Sequence, residues 1–365
     1  MDGNEDDAQA QAAVVVDPPR RRRRRPSTRF DLAALLIVGV LLVGAVFAAG
    51  AVVYDRLYSP AAFVARYLDL LSQGRAADAL AVPGVRVDSV QSEGAGLPSD
   101  AAEALLRRDA LAPLTDVSVV ESTESDGVHA VTMQYTAGQH TARTTFVVQQ
   151  TGMIGVVPAW RFATSPLAVI DLTVRGAMQF EVNGFPIDKR QVLAAGADAD
   201  PLEPVPLLVF SPGLYSIEVN TSLSSSPGVA VLSDKPRATI PVDLQTQPTA
   251  KFVEVVQDKV EEFLDECATQ RVLQPTGCPF GFEVRNRIVD APTWSISEQP
   301  VVSLVPDGAN WQIRRTQAVA HIRVDIQSIF DGSIYPVDED VPFFLDGGIT
   351  VLPDGTASIR VAAAD

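Results

Sequence analysis

The sequence predicts a β-rich α+β protein in which one N-terminal transmembrane helix precedes several folded domains. Three observations lead to this fold class. An uncharged apolar run of 22 residues, Leu32 to Val53, lies close to the N-terminus. Beyond it, apolar residues recur at three- and four-residue spacing, typical of helices, in stretches after Pro60 and after Thr249. Most of the remaining chain alternates apolar and polar residues between glycine-containing turns, which is typical of strands.

The apolar run has the length of a membrane span, since about 20 helical residues cross the ~30 Å hydrocarbon core of a bilayer. Positively charged flanks of a span stay on the cytoplasmic side. Seven arginines precede the run: Arg20, Arg21, Arg22, Arg23, Arg24, Arg25 and Arg29. We therefore predict a single pass of the plasma membrane from Leu32 to Val53, with residues 1–31 in the cytoplasm and the C-terminal domains outside.

A cleaved signal peptide is an alternative to this topology, and nucleic-acid binding is an alternative role for the arginine block. Ala49-Gly50-Ala51 offers the small-residue pattern of a signal-peptide cleavage site, but an apolar signal core is usually ~7–15 residues, shorter than this run. The arginine block also has the composition of a nucleic-acid-binding segment. Its position beside the apolar run favours a topology signal that attracts anionic lipid headgroups. The polar, acidic tail before it is predicted to be disordered.

The net charge limits the partners of the exterior part. The chain carries a formal charge of −16, and residues 1–31 are nearly balanced, so the negative charge falls on the exterior domains. A surface of this sign repels nucleic acid and other polyanions. We expect the membrane as an integral partner, an envelope protein or a cell-wall component as a second partner, and no nucleic acid.

The two cysteines, Cys267 and Cys278, both lie in the predicted exterior part, where oxidation is permitted. Their short separation favours a disulfide. Two cysteines without nearby histidines cannot fill the four positions of a structural zinc site. We predict a disulfide, no metal and no cofactor.

The pattern of helical and strand segments divides the exterior part into three domains. Residues 60–165 begin with helices, include a capped helix over Ala101–Leu106 and end in an antiparallel meander, as in α+β domains. Residues 166–247 show no helical period and contain the tight-turn pair Asn183-Gly184, which predicts a small β-sandwich-like module. Residues 250–365 again place a helix before strands, among them Phe282–Val289, Trp311–Arg314 and Val319–Ile329.

The segment from Phe63 to Leu80, with Gly74 followed by Asp78-Ala79-Leu80, resembles the opening helices of NTF2-like domains. Ala159-Trp160-Arg161-Phe162 is similar to the closing strand of that family. The resemblance implies helices packed on a curved antiparallel sheet with a pocket between them at 60–165, and a second such domain at 250–365.

The order of a cytoplasmic segment, one span and small exterior domains also resembles the TcaA group of Gram-positive membrane proteins. Members of that group carry a cytoplasmic zinc ribbon, but residues 1–31 contain no cysteine. We therefore do not extend the role of that group in cell-wall stress to this chain. The high content of Ala, Val, Asp and Arg is typical of actinobacterial proteins.

Few residues have a pattern that suggests catalysis. His321 and Asp325 share one face of a predicted strand with Arg323. Asp325 would orient His321 as a general base, but plain strand alternation favours a solvated face with a cross-strand charge pattern. NTF2-like enzymes use Asp and Tyr in an apolar pocket; here Tyr67 and Asp69 lie on the first helix, with Asp69 off its apolar stripe. Asp338-Glu339-Asp340 lacks the glycine turn of a calcium loop and is predicted to be an exposed acidic loop.

The sequence therefore predicts a non-enzymatic, single-pass envelope protein that presents binding modules to the cell-wall space. Two alternatives stay open. One is an enzyme that uses an NTF2-like pocket. The other is a transmembrane sensor that acts through a partner, because the cytoplasmic tail is too short and polar to fold alone.

Overall fold

The computed structural model describes residues 28–86, 97–352 and 356–363. The chain divides into two compact units, Met1–Arg56 and Leu57–Asp365. Arg20 to Arg25 and the predicted disordered tail lie outside the described residues, and Arg29 lies in the first helix. Within the described part, the prediction of a β-rich α+β protein is confirmed, and its sheets include a curled half-barrel.

The first helix, α1, extends over Thr28–Tyr58 and contains the apolar run. Where its side chains are described, the large apolar ones are exposed, for example Leu35 at 71% and Val46 at 70%. As far as their residues are described, no helix is long and apolar enough to cross a membrane. The span from Leu32 to Val53 stays a prediction.

In its described residues, 60–86 and 97–165, the first module contains two α-helices and a four-stranded antiparallel meander in the order β1-β2-β3-β4. Helix α2 begins after Ser59, whose Oγ accepts a hydrogen bond from the amide of Ala62 at 3.2 Å. Gly74, at φ 68°, reverses the chain after it. The elements are α2 Pro60–Ser72, α3 Ala76–Ala81, β1 Leu114–Ser125, β2 Val128–Ala137, β3 His140–Ile154 and β4 Val157–Phe162.

The middle module (166–247) contains a three-stranded sheet, β12-β5-β8, and a four-stranded sheet, β11-β9-β6-β7, with a shared apolar core. The hairpin between β6 and β7 turns at Asn183 and Gly184, both at positive φ, as the pair predicts. Its elements are β5 Leu167–Arg175, β6 Gln179–Val182, β7 Phe185–Asp188, α4 Lys189–Val192, β8 Val205–Phe210, β9 Gly213–Glu218, β10 Ser224–Ser225, β11 Val229–Ser233 and β12 Thr239–Gln245. Strand β12 runs parallel to β5, whereas β8, on the other side of β5, runs antiparallel to it.

The C-terminal module (250–363) packs one helix on a six-stranded sheet. Thr249 caps the helix, and the helix buries Phe252, Val256, Val260 and Leu264 at the predicted spacing. At its end, Cys267 forms the predicted disulfide with Cys278. The remaining elements are β13 Gln247–Pro248, α5 Ala250–Ala268, β14 Arg287–Ile288, β15 Thr293–Glu298, β16 Leu304–Asp307, β17 Asn310–Gln327, β18 Ile334–Val351 and β19 Ala357–Ala363. Strand β13 pairs with β10.

The structure corrects three local predictions. The helix over Ala101–Leu106 is wrong, because Ala102 forms a parallel bridge to Leu207 and only short 3₁₀ turns follow it. Of the strand over Phe282–Val289, only β14 forms. The two strands predicted at Trp311–Arg314 and Val319–Ile329 are one strand, β17, with a bulge between Ile313 and Thr316.

Three apolar clusters correspond to the three modules, although their edges cross the predicted limits. The cluster of the first module includes Leu167, Val169 and Phe210. That of the middle module includes Leu105 and Ala110. Residues on both sides of the predicted boundary between the first and middle modules therefore share apolar cores. The exact limits of the modules stay predictions.

Candidate functional site

The clearest polar cluster lies on the outer face of the C-terminal sheet around His321. In the pairing of β17 with β18, His321 lies opposite Asp340, and Arg323 lies opposite Asp338. The Nδ1 atom of His321 is 2.9 Å from Oδ1 of Asp340. Its Nε2 atom is 2.8 Å from Oδ1 of Asp338, in ion-pair range but out of line for a hydrogen bond. The imidazole therefore lies between two carboxylates.

Neighbouring strands extend this cluster. Arg323 Nε donates to Oδ2 of Asp338 at 3.0 Å. On β15, the Ser297 hydroxyl donates to the carbonyl of Val319 at 3.1 Å and lies 3.4 Å from Oδ1 of Asp340. The buried residues of β17, such as Ile322 and Val324, point to the opposite face. The period-two pattern thus separates a packed face from a charged face.

The arrangement fits cross-strand charge pairing better than catalysis. The Asp338, Asp340 and Arg323 side chains are 59%, 65% and 69% exposed, whereas that of His321 is 20% exposed. None of the described cavities is lined by any of these four residues. An exposed ion pair of this kind contributes about 0.2–1 kcal/mol.

His321 contacts the carboxylates of Asp338 and Asp340, not that of Asp325, which the sequence suggests. Asp325 lies further along β17, is exposed and faces Pro336 in the strand register. The predicted acidic loop at Asp338-Glu339-Asp340 is instead part of strand β18. The sequence contains only a partial signal for a strand: Val337 and Val341 fall on one face, but Glu339 falls between them on the same face.

The space between α2 and the meander is filled by aromatic side chains. Tyr67 and Phe63 each place a ring centroid 5.1 Å from that of Phe162, and Tyr67 lies 6.1 Å from Phe146. Tyr67 is completely buried, and burial raises the pKa of its hydroxyl, with a further contribution from Tyr215. A phenol with this shift holds its proton near neutral pH.

Asp69, the other residue named by the resemblance to NTF2-like enzymes, is exposed on α2. Its carboxylate accepts a hydrogen bond from Gln73 at 2.7 Å, one helical turn further on. Tyr67 and Asp69 therefore do not face a common space. The remaining histidines also have structural surroundings: the His129 ring lies edge-on to Trp160 at 5.0 Å, and His140 is exposed at the start of β3.

A cleft between the middle and C-terminal modules is an open site with polar and apolar lining residues. It encloses a cavity of about 390 Å³, within the usual range of small-molecule sites. A neighbouring groove of about 260 Å³ shares Gln179, Asn220 and Thr221 with it. The cleft is lined by Gly176, Ala177, Met178, Gln179, Arg190, Asn220, Thr221, Ser222, Leu223, Ser224, Ala309, Val351 and Leu352.

Hydrogen bonds within the middle module and between it and the following segments hold the walls of this cleft. The amide of Gly176 donates to the carbonyl of Gly308 at 3.2 Å, and Ser224 Oγ donates to the carbonyl of Gly176 at 3.0 Å. Thr249, the cap of α5, donates its hydroxyl to the carbonyl of Ser222 at 2.8 Å. Backbone and cap contacts thus keep the cleft in place, while the Asn220 side chain is exposed at its edge.

The charge at the mouth of the cleft is nearly balanced. Arg190 donates to both carboxylate oxygens of Asp188, at 2.9 and 2.7 Å. Burial alone would raise the pKa of Asp188, but the hydrogen bonds from Arg190 and Gln179 lower it below its ordinary value. The accessible groups are therefore mainly amides and hydroxyls, which suit a polar, weakly charged ligand.

Next to the cleft, Lys189 is completely buried. Its ammonium donates to the carbonyl of Val174 at 2.8 Å and to that of Pro201. Burial lowers its pKa to about 8, against the opposing effect of Asp200 and Glu203. One contact joins α4 to β5 and the other joins α4 to the loop at Pro201, so this lysine has a structural role.

Among the described residues, no group of three or more His, Cys, Asp or Glu side chains is arranged to hold a metal ion. Comparison with known proteins finds no match: no protein family, no characterised protein and no solved structure is significantly similar to the chain.

Proposed function

We propose that this protein is a single-pass, membrane-anchored envelope protein whose extracytoplasmic modules bind another envelope protein or a cell-wall component. The observation that carries the proposal is the uncharged run Leu32–Val53 directly after seven arginines. In lipid, a run of this length satisfies its backbone N–H and C=O groups by forming a helix. The arginines before it keep its N-terminal end on the cytoplasmic side.

The disulfide supports an exterior position for the C-terminal modules. Cys267 and Cys278 are joined in the structure, and disulfides persist mainly in oxidising compartments. The acidic net charge of the chain agrees with a soluble exterior part that avoids anionic polymers.

The cleft between the middle and C-terminal modules supports binding as the role of the exterior part. Its lining offers amides and hydroxyls around apolar side chains, the composition of a recognition site without a catalytic pair. The alternative of an NTF2-like pocket enzyme gains no support, because aromatic rings fill the space between α2 and the meander.

A thiol-accessibility experiment tests the topology. Native thiols are bound in the disulfide, so single variants of the full chain, Asp2→Cys and Gln139→Cys, can be labelled with a membrane-impermeant maleimide. We expect labelling at residue 139 in intact cells and at residue 2 only after permeabilisation. An unlabelled residue 139 in intact cells contradicts the proposal, and so does a mature protein that begins near Val52.

Site-specific photo-crosslinking tests the binding role. A photoreactive amino acid at Ser222, in the cleft, is expected to give a discrete crosslinked product in intact cells. The same amino acid at Gln139, in an exposed turn away from the cleft, serves as the matched control. Identical crosslinking patterns at the two positions would contradict recognition by the cleft.

A further inference from the structure

The hairpin between β3 and β4 has an exposed apolar tip. Ile154 and Val156 are 77% and 78% exposed, and Met153 is 55% exposed. Gly155, at φ 64°, makes the turn between them. Large side chains grouped in this way on a soluble surface usually mark a contact site.

The part of this hairpin around the tip also lacks charge, in a chain whose formal charge is −16. Every residue from Thr144 to Trp160 is uncharged. The neighbouring β1–β2 hairpin differs, because it carries Glu121, Glu124 and Asp126 near its turn. The apolar tip is thus a local exception on an acidic surface.

The strand register shows how far the tip protrudes. Val128, at the end of the β1–β2 turn, lies opposite Gln149, and Gln150 lies opposite Trp160. The β3–β4 hairpin continues from Gln150 to Ile154, about 13 Å at the usual rise of a strand. The acidic β1–β2 turn therefore ends several residues before the apolar tip along the sheet.

Contacts of β4 show in which direction the tip points. Phe162 packs against Phe63 and Tyr67 of α2. Two residues earlier on β4, Trp160 donates its indole N–H to the carbonyl of Tyr58 at 2.8 Å. From Phe162 through Trp160 to the tip, the hairpin thus runs past the N-terminal end of α2, the side on which the chain enters from the apolar run.

Chain length limits the distance between the hairpin and that run. Tyr58 is five residues after Val53, and five residues span at most about 17 Å even when fully extended. Trp160 therefore stays within reach of the end of the run, whatever path the connection takes. Indole rings of this kind favour the interface between membrane and water.

We propose that Met153, Ile154 and Val156 insert into the outer headgroup region of the same membrane, as a second contact beside the anchor. This inference rests on the proposed membrane anchor. The occupant is lipid because the tip is apolar, uncharged and protrudes beyond the acidic turn, and because Trp160 of the same hairpin is hydrogen-bonded to Tyr58, five residues after the run. Such a contact would restrict the orientation of the first module at the membrane.

The test uses the full chain in vesicles of phosphatidylcholine and phosphatidylglycerol that contain nitroxide-labelled lipids. An environment-sensitive fluorophore is attached to one of three single variants, Ile154→Cys, Gln139→Cys or Leu42→Cys. Gln139 is exposed in the turn at the opposite end of β3, about 50 Å away along the strand. Leu42 lies in the middle of the run and reports on the anchor itself.

We expect blue-shifted emission and quenching by the labelled lipids at residues 154 and 42, with neither effect at residue 139. Quenching at residue 42 without quenching at residue 154 overturns the proposed hairpin contact, while it still supports the proposed membrane anchor. A blue shift at 154 without lipid quenching indicates burial against protein, for example a second copy, and also overturns it. Absence of quenching at both 42 and 154 overturns the anchor and the inference together.

Discussion

His321 and Asp340 lie directly opposite each other on β17 and β18, with Nδ1 of the imidazole 2.9 Å from Oδ1 of the carboxylate. Both groups are on the outer face of the sheet, where solvent screens their attraction. We therefore predict that Asp340→Asn lowers the free energy of unfolding by less than about 1 kcal/mol.

A double-mutant cycle with His321→Gln, followed by urea denaturation, measures this coupling. The exposed pair Arg175–Asp243, at 2.8 Å, is a matched control from another sheet. A coupling energy several times larger than that of the control would show that the His321 cluster is more than a surface charge pattern.

Tyr215 forms a reciprocal pair of hydrogen bonds with one backbone residue. Its hydroxyl accepts from the amide of Phe210 at 2.9 Å and donates to the carbonyl of Phe210 at 3.2 Å. Because the side chain is fully buried, Tyr215→Phe leaves these groups without a partner, and we expect a loss of about 1–3 kcal/mol of stability.

Chemical denaturation of the Tyr215→Phe variant gives this loss directly. Tyr335→Phe is the control, since the Tyr335 hydroxyl accepts a 3.0 Å hydrogen bond from Asn286 but is 42% exposed. Equal effects of the two variants would rule out burial as the reason for the predicted difference.

The buried Lys189 makes stability depend on pH. Its pKa is about 8 in the folded protein and 10.5 when unperturbed. Below pH 8 both states hold the proton; above it the folded state releases the proton first, so stability rises with pH until the unfolded state also titrates. The total gain approaches about 3–4 kcal/mol once the unfolded state has also titrated.

Urea denaturation at several pH values between 7 and about 10 measures this rise. Lys189→Met removes the titrating group and is expected to flatten the profile. The variant Lys251→Met, at a lysine whose side chain is 77% exposed, should leave it unchanged. A profile that stays steep without Lys189 would assign the effect to other groups.

The disulfide joins the end of α5 to the loop that follows it, with a sequence separation of 11 residues. In the chain-entropy account, closing a loop of this length stabilises by about 3 kcal/mol. We expect the double variant Cys267→Ser/Cys278→Ser to lose about this amount in urea denaturation. Reduction of the unaltered protein should produce the same shift, and a reductant without effect would contradict the prediction.

Local features of the fold could be predicted from the sequence because the interactions that form them are close in the chain. The helix α5 follows from Thr249 and the apolar spacing after it, and the β6–β7 turn follows from Asn183-Gly184. Even so, the pattern did not predict that Asn183 Nδ2 donates to the carbonyls of Ala110 and Leu214, at 2.8 and 2.9 Å. Those contacts depend on how distant segments pack.

The candidate sites were harder to predict for the same reason. The partners of His321 are on β18, in a segment whose acids and Pro336 suggest a loop; pairing with β17 overrides that local preference. The cleft combines residues near 176, 220 and 351. No local pattern links these positions, because they come together only in the tertiary structure.

The parallel pairing of β5 with β12 has a consequence for the order in which the chain folds. Val169 lies opposite Thr239, so a central strand of the middle module pairs with residues made about 70 positions later. Contacts between such distant segments form slowly. During synthesis from the N-terminal end, the apolar strand Leu167–Arg175 is completed well before its partner emerges, and it needs protection from other chains in that interval.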